Sequence, residues 1–162
     1  MSVNRYLPHV LVLPEDRANS QLANGFLLDE ALMTRRIQVL EEAGGWTEVL
    51  DRFTLDHIGG MDAYPERVMV LLIDFDGQED RLDRAKAVIP GHLKDRVFVL
   101  GVWTEPEALR AGLGSYETIG RALAKDCREG TDTTWEHGLL RHNAGEIGRL
   151  RERVRPILFQ SI

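Results

Sequence analysis

The stretch VMVLLIDFDGQEDR, residues 68–81, decides how the chain is read. Six consecutive apolar residues run straight into Asp74-Phe75-Asp76 and then Gly77. A short, nearly continuous apolar run, partly β-branched and bounded by acids and glycine, reads as a strand covered on both faces. Two further runs have the same character, HVLVL at 9–13 and VFVLGVW at 97–103. Strands of this kind belong to a mostly parallel sheet between helical layers. The expectation is therefore a single α/β domain over residues 1–162, with a Rossmann-like central sheet flanked by helices. Its core occupies about 9–105, and a helical C-terminal extension about 106–162. FTLDHI at 53–58 reads as a fourth, shorter strand.

Helical patterns fill the intervals. Residues 20–43 carry Leu22, Phe26, Met33, Ile37 and Leu40 at roughly helical spacing and end at Gly44-Gly45. A second helix is expected over 78–89, stopping before Pro90-Gly91. A third starts at TEPEAL, where Thr104 and Glu107 have capping-box spacing. Segments 115–127 and 143–154 are two more, separated by a polar stretch at 128–134.

Composition narrows the class. The 162 residues include 20 basic and 26 acidic side chains, a formal charge of -6. That balance gives no support to a general nucleic-acid coat, although a metal-holding enzyme needs acids at its centre and bases only at its rim. The single Cys127 excludes an internal disulfide framework and a Cys-rich zinc site. No apolar run approaches the roughly 18 residues that would cross a bilayer, and no basic flank precedes an apolar run at the N-terminus. A cytoplasmic protein without membrane partners is expected.

The acids carry the chemistry. In a parallel α/β sheet, ligands bind beyond the carboxyl ends of the strands. Glu15-Asp16 follow the first run and Asp74 and Asp76 follow the second. Residues two apart in extended backbone point the same way, so Asp74 and Asp76 are expected to share one side while Phe75 turns to the other. Glu15, Asp74 and Asp76 then form the candidate catalytic and metal-binding set, with Asp16 in the second rank. Carboxylates brought together in one crevice repel one another, and a divalent cation relieves that. Oxygen donors without Cys or His favour Mg²⁺ or Mn²⁺ over zinc. Any one of these acids taken singly also reads as a turn residue or helix cap.

At these positions the chain resembles the TOPRIM family, the acidic catalytic fold of topoisomerases, primases and OLD-type nucleases. That family places a glutamate just after its first strand and an Asp-x-Asp motif after a later one. The matching residues are Glu15 in LPEDR, and Asp74 and Asp76 in LLIDFDG. Gly59-Gly60 in DHIGGMD stand where such folds often turn out of a second strand. The resemblance covers about 9–105 and departs at Asp16, where the family usually has glycine. No ATPase, zinc ribbon or strand-passage tyrosine context accompanies it, which implies a small stand-alone version. It implies Mg²⁺-dependent, nuclease-like phosphodiester chemistry on nucleic acid, with a larger partner protein or a homodimer supplying the remaining surface. Arg17 and Arg81, flanking the acids, are the nearest candidates to meet backbone phosphates.

Other readings compete. LLIDFDG also looks like the nucleophile motif of haloacid-dehalogenase-like phosphatases, with Asp74 attacking phosphorus and Asp76 as acid/base. Against that, Gln78 follows Gly77 and the motif lies mid-chain. A phospho-receiver would use Glu15-Asp16, Asp74 and Thr104 at three successive strand ends. It also needs a lysine closing a further strand, whereas Lys125 lies in a helical pattern. A non-catalytic interaction module is the third alternative. His137 and His142 could steady a phosphate, but polar residues opening a terminal helix are more often caps, and Asn143 suits that role. Trp103 and Trp135 could stack on bases or anchor helices to the sheet. The basic run at 149–155 reads as a solvated face above Ile147, Leu150 and Val154, or as a phosphate contact. Cys127 reads as structural.

Overall fold

The three apolar runs form strands in the computed structural model, which describes residues 2–159. They are β1 (His9–Pro14), β3 (Arg67–Leu72) and β4 (Val97–Leu100), and a shorter β2 (Ile37–Val39) completes the sheet. The order is β2-β1-β3-β4 and all three pairings are parallel. Among the described residues seven α-helices accompany it: α1 (Arg17–Phe26), α2 (Trp46–Arg52), α3 (Ile58–Ala63), α4 (Arg81–Ala87), α5 (Arg110–Leu113), α6 (Tyr116–Glu129) and α7 (Ala144–Leu158).

The period-2 alternation of the strands sorts their side chains into two cores. Leu11, Leu13, Met69, Leu71 and Val99 face one way and pack with Val49, Phe53, Met61 and Ala85 from the α2–α4 side. Val10, Val12, Val70 and Leu100 face the other way, against Ile147, Leu150 and Val154 of α7 and Cys127 of α6. Helices on both faces are what continuous apolar strands require. Burying each of these large side chains contributes about 1.5–3 kcal/mol. The last third of the described chain is helical, and no helix among the described residues is long and apolar enough to cross a membrane.

Several local expectations are corrected. The pattern at 20–43 is not one helix: α1 ends at Phe26, and Ile37–Val39 is β2, paired with Val10–Val12. Three residues are too few to display a strand period, and here they continued the spacing of the helix before them. FTLDHI is not a strand either. Phe53–His57 is a π-helical turn between α2 and α3, with Phe53 fully buried and Leu55 exposed. Val49, Leu50, Phe53 and Met61 together form one helical stripe facing the sheet, which outweighs the β-branched residues of the segment. Gly59 and Gly60 accordingly sit within α3. The second helix is shorter than expected, at Arg81–Ala87. The Thr104/Glu107 capping box does not form. Glu105 precedes a 3-10 turn at Pro106–Leu109, and Thr104 Oγ1 is buried without a partner.

Asn143 immediately precedes α7 but does not cap it. Its Oδ1 accepts from Gly101 N–H at 3.2 Å, and its Nδ2 donates to the carbonyls of Gly101 and Leu140, both at 2.9 Å. Three residues on, Glu146 accepts from Val99 N–H at 3.1 Å and is paired with Lys86 and Arg149. Val99 of β4 and Gly101 just after it are alternate residues along the sheet's outer edge. Asn143 just before α7 and Glu146 on it thus satisfy edge groups that a further strand would otherwise take up.

A second contact fixes α1. Helices α1 and α6 meet at Gly25 and Gly120, so closely that a Cβ on Gly25 would lie 2.7 Å from the Glu117 carbonyl oxygen. Glycine at both positions lets the two backbones touch.

Candidate metal centre

The sheet order places a topological switch between β1 and β3. The chain leaves β1 toward β2 on one side, and β3 begins the run toward β4 on the other. The crevice beyond the carboxyl ends of these two strands is where ligands bind in open α/β sheets. Glu15 and Asp74 stand there. Glu15 N–H donates to Leu72 O at 2.8 Å, extending the ladder by one bond. Asp74 N–H then donates to Glu15 Oε2 at 2.7 Å. Asp16 is the N-cap of α1, with Oδ1 accepting from Asn19 N–H at 3.0 Å. The Asn19 side chain closes the arrangement, its Nδ2 donating to Asp16 Oδ1 at 3.0 Å and to Asp74 Oδ1 at 2.8 Å. Glu15, Asp16 and Asp74 each offer an oxygen within 4.8 Å of the others.

Each of the three carboxylates has one oxygen held by a protein donor: Oε2 of Glu15, Oδ1 of Asp16 and Oδ1 of Asp74. No backbone or side-chain N–H is bonded to the second oxygen of any of the three. Asn19, with no exposed surface, turns its Nδ2 toward two of these acids, and its Oδ1 is buried without a partner. Three carboxylates fixed by one oxygen each make a donor set of hard oxygen atoms. That set fits Mg²⁺ or Mn²⁺.

Electrostatics agree with the geometry. Burial pushes the Asp74 carboxyl up to about 8, with the charges of Glu15 and Asp16 adding to the shift and the Asn19 hydrogen bond opposing it. Glu15 is also raised, by burial first and by Asp16, against the Asp74 N–H bond and the nearby Arg81. Gathering these acids without a cation thus favours the protonated form of Asp74.

Asp76 is placed differently from the expectation that it shares a side with Asp74. The strand ends at Leu72, and Asp76 adopts φ 49°, the left-handed region that non-glycine residues seldom enter. Its carboxylate is half exposed and pairs with Arg81 at 2.9 Å, outside the group formed by the other three acids. Arg81 is buried rather than available at the rim. It donates to Asp74 O at 2.6 Å and stacks on Trp46, with its guanidinium carbon 4.4 Å from the ring centre. Arg84 lies over the same ring at 4.9 Å. Arg17 is exposed on the first turn of α1, next to Asp16.

The remaining candidates take structural positions. His142 packs edge-on to Phe75 at 4.8 Å and against Trp103 at 5.3 Å. Neither ring nitrogen has a partner, the Gly101 carbonyl being taken by Asn143, and burial holds the imidazole below its usual pKa. His137 Nδ1 accepts from Leu139 N–H at 3.1 Å within its own turn. Trp103 stacks on Phe75, and Trp135 packs between the α7 core and the Leu109–Leu140 cluster. In the run at 149–155, Arg149 and Arg151 are engaged with Glu146 and Asp132. Cys127 is buried and its thiol is pushed up to about 11. Lys125 is exposed on α6, and no fifth strand exists among the described residues.

Asn19 and Trp46 were not singled out from sequence. Asn19 carries a signal in hindsight: an Asp at a helix start with an amide three residues on can bond it by both backbone and side chain. Nothing local marks Trp46, because its partners come from α4.

No family model matches this chain, and no curated protein or solved structure matches it either.

Proposed function

We propose that this protein carries out divalent-cation-dependent phosphodiester chemistry on nucleic acid, most simply cleavage. The observation that carries the reading is the convergence of Glu15, Asp16 and Asp74, each with one oxygen tied and one free, at the β1/β3 switch point. The order of those acids, a glutamate after β1 and an aspartate after β3, supports the TOPRIM resemblance drawn from LPEDR and LLIDFDG. A cation held there would polarise a phosphate oxygen and offset charge developing on it.

The chain's own residues divide the remaining work. Glu15, Asp16 and Asp74 hold the cation through their free oxygens, and Asn19 keeps two of the three in register. Asp76 holds the Arg81 guanidinium, which in turn grips the Asp74 carbonyl and so fixes the loop that presents Asp74. Arg17, exposed beside Asp16, is placed to meet a backbone phosphate. A partner protein or a second copy would supply further substrate surface.

The phospho-receiver alternative loses support from the edge of β4. The strand that would bring a lysine is absent among the described residues, and Asn143 and Glu146 occupy its bonding groups. The test is purified protein with Mg²⁺ or Mn²⁺ and, separately, plasmid, single-stranded DNA, RNA and a generic phosphomonoester. Cleavage of nucleic acid that disappears in Glu15→Gln and Asp74→Asn is the expected result. Turnover of the phosphomonoester alone would transfer the case to the phosphatase reading.

A further inference from the structure

A cavity of about 120 Å³ lies between the sheet and the layer formed by α1, α6 and α7. Its floor takes one side chain or more from every strand, including Ile37, Val12, Val70 and Leu100. Four strands at about 4.8 Å spacing give that floor a width of roughly 14 Å. Ala23 of α1, Leu123 of α6 and Leu150 of α7 form its roof, and the Trp135 ring lines it as well.

The layer above is held by contacts made elsewhere, which oppose collapse onto the sheet. Helices α1 and α6 are locked backbone to backbone at Gly25 and Gly120. Helix α7 is tied to the β4 edge through Asn143 and Glu146. Interiors ordinarily pack without such voids. A space kept open by fixed walls is a site in waiting.

We infer that this cavity binds a small uncharged apolar molecule, a ring or short chain of about six carbons, by analogy of size and lining with apolar cavities of about 150 Å³ that stay dry and take up benzene. The lining is aliphatic and aromatic, with no charged side chain. Its backbone contribution at Gly101 has both N–H and C=O already bonded to Asn143. A ligand carrying a charge or several hydrogen-bonding groups would leave them unpaired there. This site is separate from the acidic cluster and does not depend on cation binding.

The test follows the ¹³C-labelled methyl groups of Val12, Val70 and Leu150 by NMR while benzene, n-hexane or n-hexanoate is added to the full chain. Benzene or hexane is expected to shift these signals saturably and raise the melting temperature, and hexanoate to do neither. Ala23→Leu fills the cavity and is expected to abolish the shifts while the folded spectrum is retained. Val154→Leu, a milder change at another lining residue, is expected to weaken binding several-fold even if Ala23→Leu does not fold. Absence of saturable shifts with both hydrocarbons would overturn the inference. So would equal binding of hexanoate, or undiminished hydrocarbon affinity in the filled variants.

Discussion

The side chain of Glu15 accepts a hydrogen bond at 2.7 Å from the backbone N–H of Asp74, 59 residues further along the chain. One bond thus joins the end of β1 to the loop after β3 and sets a carboxylate against the residue whose carboxylate it repels. Acceptor and charge can be separated by mutation. Glu15→Gln keeps an oxygen for the Asp74 N–H and removes the repulsion, so in EDTA its stability should equal or exceed that of the parent. Glu15→Ala leaves that buried N–H unpaired and should cost about 1–3 kcal/mol. Mn²⁺ should raise the melting temperature of the parent, and both variants should lose that rise. Thermal melts of the three proteins with EDTA and with Mn²⁺ check all of this.

The raised carboxyl of Asp74 implies a particular slope of stability with pH when no cation is present. Its ordinary value is 3.8 and its folded value about 8, so the folded state binds the proton more tightly than the unfolded state. The stability associated with that proton is fully present below 3.8 and is lost as pH rises through about 8. Glu15, also raised, adds to the same trend. Urea midpoints in EDTA should therefore fall between pH 5 and 9, and Asp74→Asn should flatten that fall. A cation competes with the proton, so stabilisation by Mn²⁺ should grow over the same interval.

Glu146 gives the opposite sign. Burial alone would raise its carboxyl, but Lys86, Arg149 and the Val99 N–H together hold it below its ordinary 4.5. Its contribution is present above 4.5 and disappears as pH falls through the depressed folded value. Glu146→Gln should be less stable than the parent at pH 7 and should show a shallower loss on acidification below pH 5. Denaturation midpoints for the two proteins at pH 3 to 7 separate this from a general loss of packing, which would lower both limbs equally.

Parts of this arrangement were legible before the fold was known. Continuous apolar runs at 9–13, 68–73 and 97–103 declared buried parallel strands, and the acids following the first two fell at the switch point. Legibility failed where an element takes its identity from a partner rather than from its own period. Ile37–Val39 is a strand because Val10–Val12 pairs with it, and its three residues carry no signature. Asp76 leaves the site through a left-handed backbone angle that no side-chain pattern announces. Asn143 looks like a cap and instead bonds Gly101, 42 residues earlier in the chain. The missing fifth strand is likewise visible only once β4 and α7 are brought together.

Gly25 offers a test of how firmly α1 is set. A methyl there would meet backbone atoms of Glu117 at 2.7 and 2.9 Å, and backbone cannot swing aside as a side chain can. Gly25→Ala should destabilise the fold by about 1–3 kcal/mol through overpacking, despite the higher helix propensity of alanine. Gly59→Ala, where nothing lies within 4 Å of the added atom, is the matched control. It should be neutral or slightly stabilising by urea denaturation.

Asn19 is the uncharged residue that ties two acids of the proposed cation site together. Its Nδ2 bonds Asp16 at 3.0 Å and Asp74 at 2.8 Å, and its backbone N–H bonds Asp16 again. Removing the amide unties Asp74 from Asp16, which keeps only the Asn19 backbone N–H, and the two carboxylates would then separate under their own repulsion. Asn19→Ala should lower Mn²⁺ affinity by about 10- to 100-fold, the range found when a group orienting metal ligands is lost. A loss of fold stability alone would reduce the amount of competent protein and leave the affinity of the folded fraction unchanged. Asn19→Asp is the more discriminating change, since it is nearly isosteric but has no donor for either neighbour. It adds a carboxylate to a cluster already strained by charge, so in EDTA it should steepen the fall in stability between pH 5 and 9. Titration calorimetry with Mn²⁺ on the folded proteins, beside urea midpoints across pH, reads both quantities. Unchanged affinity in Asn19→Ala would mean that the acids hold their positions without it.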